Sequence, residues 1–290
     1  MKIKKNFYLI FIISIVLFLF FFLFCIKNLN KENFDNNFNK DYGDSVIPKY
    51  FFQIWINNEN KIPNLIKENF NNIKNENPDF ECKLYNKEDC IDFLQNNYDE
   101  DIIKTYKKLI PGAYKADLMR YCILYKKGGI YLDAKMMPIN NYKLKDVTNK
   151  EYFIRDFESS QKGVWNGFIV CKKNNPILLD AINSIVENVK NKYYGESCLS
   201  PTGPLLLKKL FTDNEINNFE YEYTTSNNEP DLLIVSKKPF NHDLAILKKD
   251  NKIYHEQSLN RSENNYVELW SEKKIYEPFQ NIFNSKFSLL

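Results

Sequence analysis

From Pro111 to Asp133 the chain reads PGAYKADLMRYCILYKKGGIYLD. Residues Pro111 to Lys127 are apolar over most of a helical circumference, so the helix they predict is a buried one. Gly128 and Gly129 stop it, as glycine does just past a helix end. "IYLD" then gives a short strand ending on Asp133. Side chains alternate along a strand, which puts Ile130 and Leu132 on one face and Tyr131, Asp133 and Lys135 on the other. Ligands in open α/β sheets sit beyond the carboxyl ends of strands, where Asp133 is placed. Taken alone, Asp133 reads sooner as an aspartate that simply caps a turn than as a ligand-binding group. In the helix before it, Asp117 and Arg120 are spaced i,i+3 and share a face. Buried charges are costly unless paired or hydrogen-bonded. Two readings stay open for the pair: an ion pair that braces the core, or a pair aimed at a polar ligand near Asp133.

The rest of the chain supplies the sheet. "KYFFQIWI" (49–56) reads as a strand by its aromatic and β-branched content. A helix follows at 63–74, with Leu65, Ile66, Phe70 and Ile73 at helical spacing. "FECKLYN" (80–86) alternates like a strand, and "KEDCIDFLQNNY" is helical. Further strands are expected at "EYFIRDF" and "GFIVCKK", a long helix at 176–194 and another after "SPTGP". "DLLIVSKKPFNH" and "AILKKDNKIYH" read as strands or a hairpin. Strands alternating with helices predict a mostly parallel, Rossmann-like sheet in one α/β domain. A chain of 290 residues with 44% apolar content can bury such a core.

The N-terminus is of a different kind. Phe7 to Ile26 holds about 20 residues without a charge, the length of a membrane-spanning helix. The lysines before it favour a cytoplasmic N-terminus. The expected organisation is a cytoplasmic tail (1–6), a transmembrane signal-anchor (7–26), a polar stem (27–45) and a lumenal domain (46–290) in a Golgi- or ER-like membrane. The net charge is +3, and Lys2, Lys4 and Lys5 account for it, so the remainder is near neutral. A near-neutral domain argues against a nucleic-acid partner. Six cysteines lack C-x-x-C spacing and there are only two histidines, which excludes a His-rich metal site and disfavours zinc.

The stretch YKADLMRYCILYKKGGIYLD resembles the signature of glycosyltransferases with a DXD sugar-binding region. These are the family-32 enzymes, which include yeast initiating mannosyltransferases and relatives of clostridial glucosylating toxins. "IPKYFFQIWI", "WNGFIVCKKNNP", "SPTGP" and "YHEQSLNRSENNYVELW" resemble further pieces of that family in the same order, from Ile47 to Tyr276. The resemblance implies a single domain of GT-A type. It implies transfer of a sugar from a UDP- or GDP-sugar donor to a glycan or glycolipid acceptor, with retention at the anomeric carbon. By the same resemblance, Trp55 lies against the nucleobase, while Asp117 and Arg120 hold donor-sugar hydroxyls. Tyr131 lines the donor pocket, Asp133 is the first DXD acid, and Asn166 and His255 border the donor and its diphosphate.

Here the chain departs from the pattern, since Asp133-Ala134-Lys135 stands where Asp-x-Asp is usual. The family's divalent cation, Mn²⁺ or Mg²⁺, prefers hard oxygen ligands. With Lys135 in place of the second acid, Asp133 is left as the implied protein ligand. Three roles stay open for Lys135. It replaces the metal in part by neutralising the leaving diphosphate, acting with Asp133 as a catalytic group. It snorkels to solvent while metal is held elsewhere. Or the protein is a catalytically impaired, GT-A-fold subunit that binds glycans or serves assembly.

Overall fold

A computed structural model describes residues 45–57, 61–156, 163–225, 233–237, 245–250 and 265–278. The expected anchor Phe7–Ile26 and stem lie outside the described residues. Among the described residues, no helix is long and apolar enough to cross a membrane.

In chain order the elements are β1 (Tyr50–Ile54), α1 (Asn64–Glu76), β2 (Glu81–Tyr85), α2 (Lys87–Asn97), α3 (Glu100–Lys108), α4 (Gly112–Lys127), β3 (Gly129–Leu132) and β4 (Met136–Pro138). A 3₁₀ turn (Leu144–Val147) precedes β5 (Tyr152–Asp156), β6 (Val164–Cys171), α5 (Pro176–Lys190), α6 (Pro204–Lys208) and α7 (Asp213–Asn217). Then come β7 (Tyr221–Thr225), β8 (Leu233–Lys237), β9 (Ala245–Lys249) and α8 (Tyr266–Ser271). The helix at Glu100–Lys108 was not expected. Asp99 caps it by accepting from the Ile102 amide, and Ile102, Ile103 and Tyr106 face inward.

The sheet is mixed, which corrects the expectation of a mostly parallel one. Its strand order is β2-β1-β3-β6-β5-β7-β8-β9-β4. β1 runs parallel to β2 and β3, and β5 parallel to β7. β6, however, lies antiparallel between β3 and β5, and β7, β8, β9 and β4 pair antiparallel in turn. The reason is connection length. Segments 157–163, 226–232 and 238–244 are shorter than the roughly dozen residues a parallel crossover needs.

α4 packs against α5 and against β1 and β3 of the sheet. Its residues from Leu118 to Leu124 are all buried, Asp117 and Arg120 among its buried positions as well. The turn into β3 is where glycine is obligatory. Gly129 has φ 103, and a Cβ there would stand 2.2 Å from the Tyr50 carbonyl oxygen. Gly129→Ala therefore both strains the backbone and forces β3 off β1. Urea denaturation should show a loss of about 1–3 kcal/mol or more; an unchanged midpoint would contradict this close approach.

Candidate functional site

The site forms where the carboxyl end of β3 meets α4 and the middle of β6. Asp133 follows directly after β3, and its amide donates to the Gly167 carbonyl of β6 at 2.7 Å. The Gln53 amide of β1 reaches the Asp133 carbonyl at 3.4 Å. The strand does not continue to Lys135. Met136 donates back to the Asp133 carbonyl at 2.9 Å, closing a turn over Ala134 and Lys135. Tyr131 and Asp133 do share a side, as strand alternation requires, but Lys135 arrives by the turn rather than along a strand face.

Arg120 is the centre of the charge network. Its Nη2 lies 3.1 Å from Asp117 Oδ1 and its Nη1 lies 3.3 Å from Asp133 Oδ1. The same Nη1 donates to the Asn166 carbonyl at 2.7 Å, and the guanidinium stacks 4.5 Å from the Tyr131 ring centre. The Tyr131 hydroxyl donates to Asp133 Oδ1 at 2.7 Å. Burial pushes the Tyr131 phenol far above its usual range, so it stays a donor. On the other side, Asp117 Oδ1 accepts from Asn166 Nδ2 at 2.9 Å, and Oδ2 accepts from the Thr202 hydroxyl at 2.6 Å. Asn166 also donates to the Tyr121 hydroxyl at 2.9 Å. Lys135 Nζ turns back over Asp133 and pairs with its Oδ2 at 3.4 Å.

The two carboxylates differ in setting. Burial raises the Asp117 carboxyl above the usual aspartate value, against the pull of Arg120 and the donors Thr202 and Asn166. Burial also raises Asp133, but Lys135, Arg120 and the Tyr131 hydroxyl outweigh it, and Asp133 ends below the usual value. Asp117 is thus turned inward with both oxygens engaged. The Asp133 and Lys135 side chains keep exposures of 17% and 29%, against 6% for Arg120, and they form the open edge of the cluster.

Trp55 is half-buried in a small apolar group with Ile62, Leu65 and Leu84, packed against Ile66 and Ala134, the residue between Asp133 and Lys135. Its buried indole Nε1 has no hydrogen-bond partner among the described residues. His255 lies outside the described residues. The structure thus brings Trp55, Asp117, Arg120, Tyr131, Asp133, Lys135 and Asn166 to one corner. Thr202, Tyr121 and Gln53 also meet it and were not anticipated as site residues. "SPTGP" was a signal for Thr202, because a hydroxyl before a Gly-Pro helix start is free to face a buried acid.

The residues described here do not fit a divalent cation. No group of three His, Cys, Asp or Glu side chains is placed to hold one among them. Asp133 Oδ1 already faces Tyr131 and Arg120, and Oδ2 faces an ammonium.

An α/β scaffold with acids and an arginine gathered at a strand's carboxyl end defines a ligand-handling site of the kind enzymes use. Residues 63–154 match the glycosyltransferase sugar-binding region containing the DXD motif. The chain carries that sugar-binding region, in agreement with the resemblance read from its sequence. It is 29% identical over 195 residues to an uncharacterized glycosyltransferase of Acanthamoeba polyphaga mimivirus, covering 67% of this chain and 72% of that protein. It is 28% identical over 169 residues to an inositol phosphoceramide mannosyltransferase of Schizosaccharomyces pombe, covering 58% of this chain and 46% of that protein. The chain therefore spans about half the length of this second relative. A solved structure titled PaToxG glycosyltransferase overlays with TM-score 0.46 at 16% identity, covering 67% of this chain and 83% of that one.

Proposed function

We propose that this chain is a membrane-anchored hexosyltransferase of GT-A type. It moves a sugar, with retention, from a UDP- or GDP-sugar to a glycan or glycolipid acceptor. The observation that carries this reading is the buried Asp117–Arg120–Asp133–Asn166 network with Asp133 at its open edge. A network this costly to bury, opening at the carboxyl end of a strand, suits a ligand rich in hydroxyls and charge. In this reading Asp133 and Lys135 face the nucleotide and its diphosphate. Trp55, half-buried beside Ala134, lies on the nucleobase side. Asp117, Arg120, Tyr131 and Asn166 line the donor-sugar side. Phe7–Ile26 anchors the chain with residues 1–6 cytoplasmic, residues 27–45 as stem and residues 46–290 as the lumenal catalytic domain. The uncharged run supports the anchor. The name of the fission-yeast relative supports trying mannose and a lipid-linked acceptor first.

A radiolabelled UDP- and GDP-sugar panel, run with glycan and glycolipid acceptors, tests the proposal. Transfer, or donor hydrolysis, is expected with one donor class. Silence with every donor would count against catalysis and favour the impaired-subunit reading that Lys135 motivates.

A further inference from the structure

We infer that Lys135 takes the place of the divalent cation at this donor site, so that the chain binds a nucleoside diphosphate without metal. This rests on the donor-site reading above. The first support is charge. One carboxylate plus one divalent ion sum to a single positive charge, which is what one lysine carries. Exchanging the second acid of Asp-x-Asp for Lys135 therefore leaves the charge presented to a diphosphate unchanged once the ion is also gone. Keeping both the ion and Lys135 would overshoot it.

The second support is where the ammonium sits. A lysine that merely snorkels directs its head group into water. Lys135 instead folds back to within 3.4 Å of Asp133 Oδ2, at the open edge of the cluster. Two formal anions, Asp117 and Asp133, then face two formal cations, Arg120 and Lys135, and the cluster is neutral without an ion. An ammonium has three donors, and the pairing with Asp133 leaves others for phosphate oxygens.

The third support is that the backbone holds this turn in place. The buried Asn69 side chain of α1 donates to the carbonyls on both sides of Lys135, at 3.2 Å to Ala134 and 2.9 Å to Met136. The Lys135 carbonyl accepts from the Asp250 amide at 2.7 Å. Pairing of β4 with β9 fixes the turn's far end. The scaffold thus fixes the backbone from which Lys135 reaches Asp133, and Asp133 aims the ammonium at the open edge where negative charge would be met.

The test is titration calorimetry of UDP and GDP into the full-length chain, in EDTA and in Mn²⁺, with the Mn²⁺ electron paramagnetic resonance signal as a second readout. The wild type should bind one of the two nucleotides with affinities within about twofold in both buffers. Its presence should not remove free Mn²⁺ beyond what the nucleotide alone removes. Lys135→Met should weaken binding about 10- to 100-fold, the loss of one charge-assisted contact. Lys135→Arg should stay close to the wild type, which separates lost charge from lost folding. Lys135→Asp should bind weakly in EDTA, recover in Mn²⁺ and bring protein-bound Mn²⁺ into the spectrum. Wild-type binding that vanishes in EDTA, or a Lys135→Met variant that binds like the wild type, overturns the inference and leaves the donor site standing. Failure to bind either nucleotide in both buffers overturns the donor-site reading and this inference with it.

Discussion

Arg120→Met is expected to cost about 3–5 kcal/mol of folding stability, because it strands two carboxylates that the fold has buried around one guanidinium. That is a large share of the roughly 5–15 kcal/mol available to a typical domain. Asp117 loses its 3.1 Å partner, Asp133 loses one of its two cations, and the Asn166 carbonyl loses its 2.7 Å donor. Arg120→Lys should recover only part of the loss, since one ammonium cannot span both acids as a planar fork does. The effect carries a pH signature. Asp133 sits below the usual aspartate value, so its contribution is present above that value and fades as pH falls through its folded value. Asp117 is raised by burial, so its ionised form costs stability as pH rises through its own folded value. Without Arg120 both carboxyls move up: Asp117, already raised by burial, opposes folding more strongly at neutral pH, and Asp133, still held by Lys135 and Tyr131, contributes less. The gap between wild type and variant should therefore be widest near neutrality and narrow in acid. Urea midpoints measured across that range check it, and a gap that is constant with pH would show that lost packing, not charge, sets the cost.

Asp133→Asn should behave in the opposite way, with binding affected more than folding. The amide keeps the shape and can still accept from the Tyr131 hydroxyl. Arg120 keeps Asp117, and Lys135, already partly exposed, turns to water. Stability should change by less than about 1.5 kcal/mol. In the donor-site reading, however, a hydroxyl of the donor loses a carboxylate acceptor and Lys135 loses the group that aims it. Nucleotide affinity should fall about 10- to 100-fold. Calorimetry beside a urea titration reads both. If stability falls by several kcal/mol while affinity holds, Asp133 is a bracing residue only.

Local pattern made the main elements of this chain readable. The buried helix, its double-glycine stop and the strand ending at Asp133 are all local features, and each appears where its chemistry requires. Asn175 before Pro176 starts α5 in the same way, by accepting from the Leu178 amide. The features that were missed depend on distant neighbours. The three-residue β4 exists because β9 pairs with it, from Met136 opposite Lys249 to Pro138 opposite Leu247. The antiparallel insertion of β6 between β3 and β5 is likewise a matter of sheet neighbours. Thr202 reaches Asp117 across 85 residues of chain.

The sequence by itself determined that Asp117 and Arg120 share a helix face, that Asp133 follows a strand, and that a lysine stands two residues beyond it. Those follow from helical spacing, strand alternation and residue identity. Only the tertiary structure decided what each buried charge pairs with. It placed Arg120 between two acids, drew Asn166 and Thr202 onto Asp117, and folded Lys135 back over Asp133 through a turn rather than along a strand. The physical reason is that electrostatic partners act over a few ångströms in space, and here those ångströms are bridged by β6, α6 and the Asn69 clamp, none of which is near Asp133 in the chain.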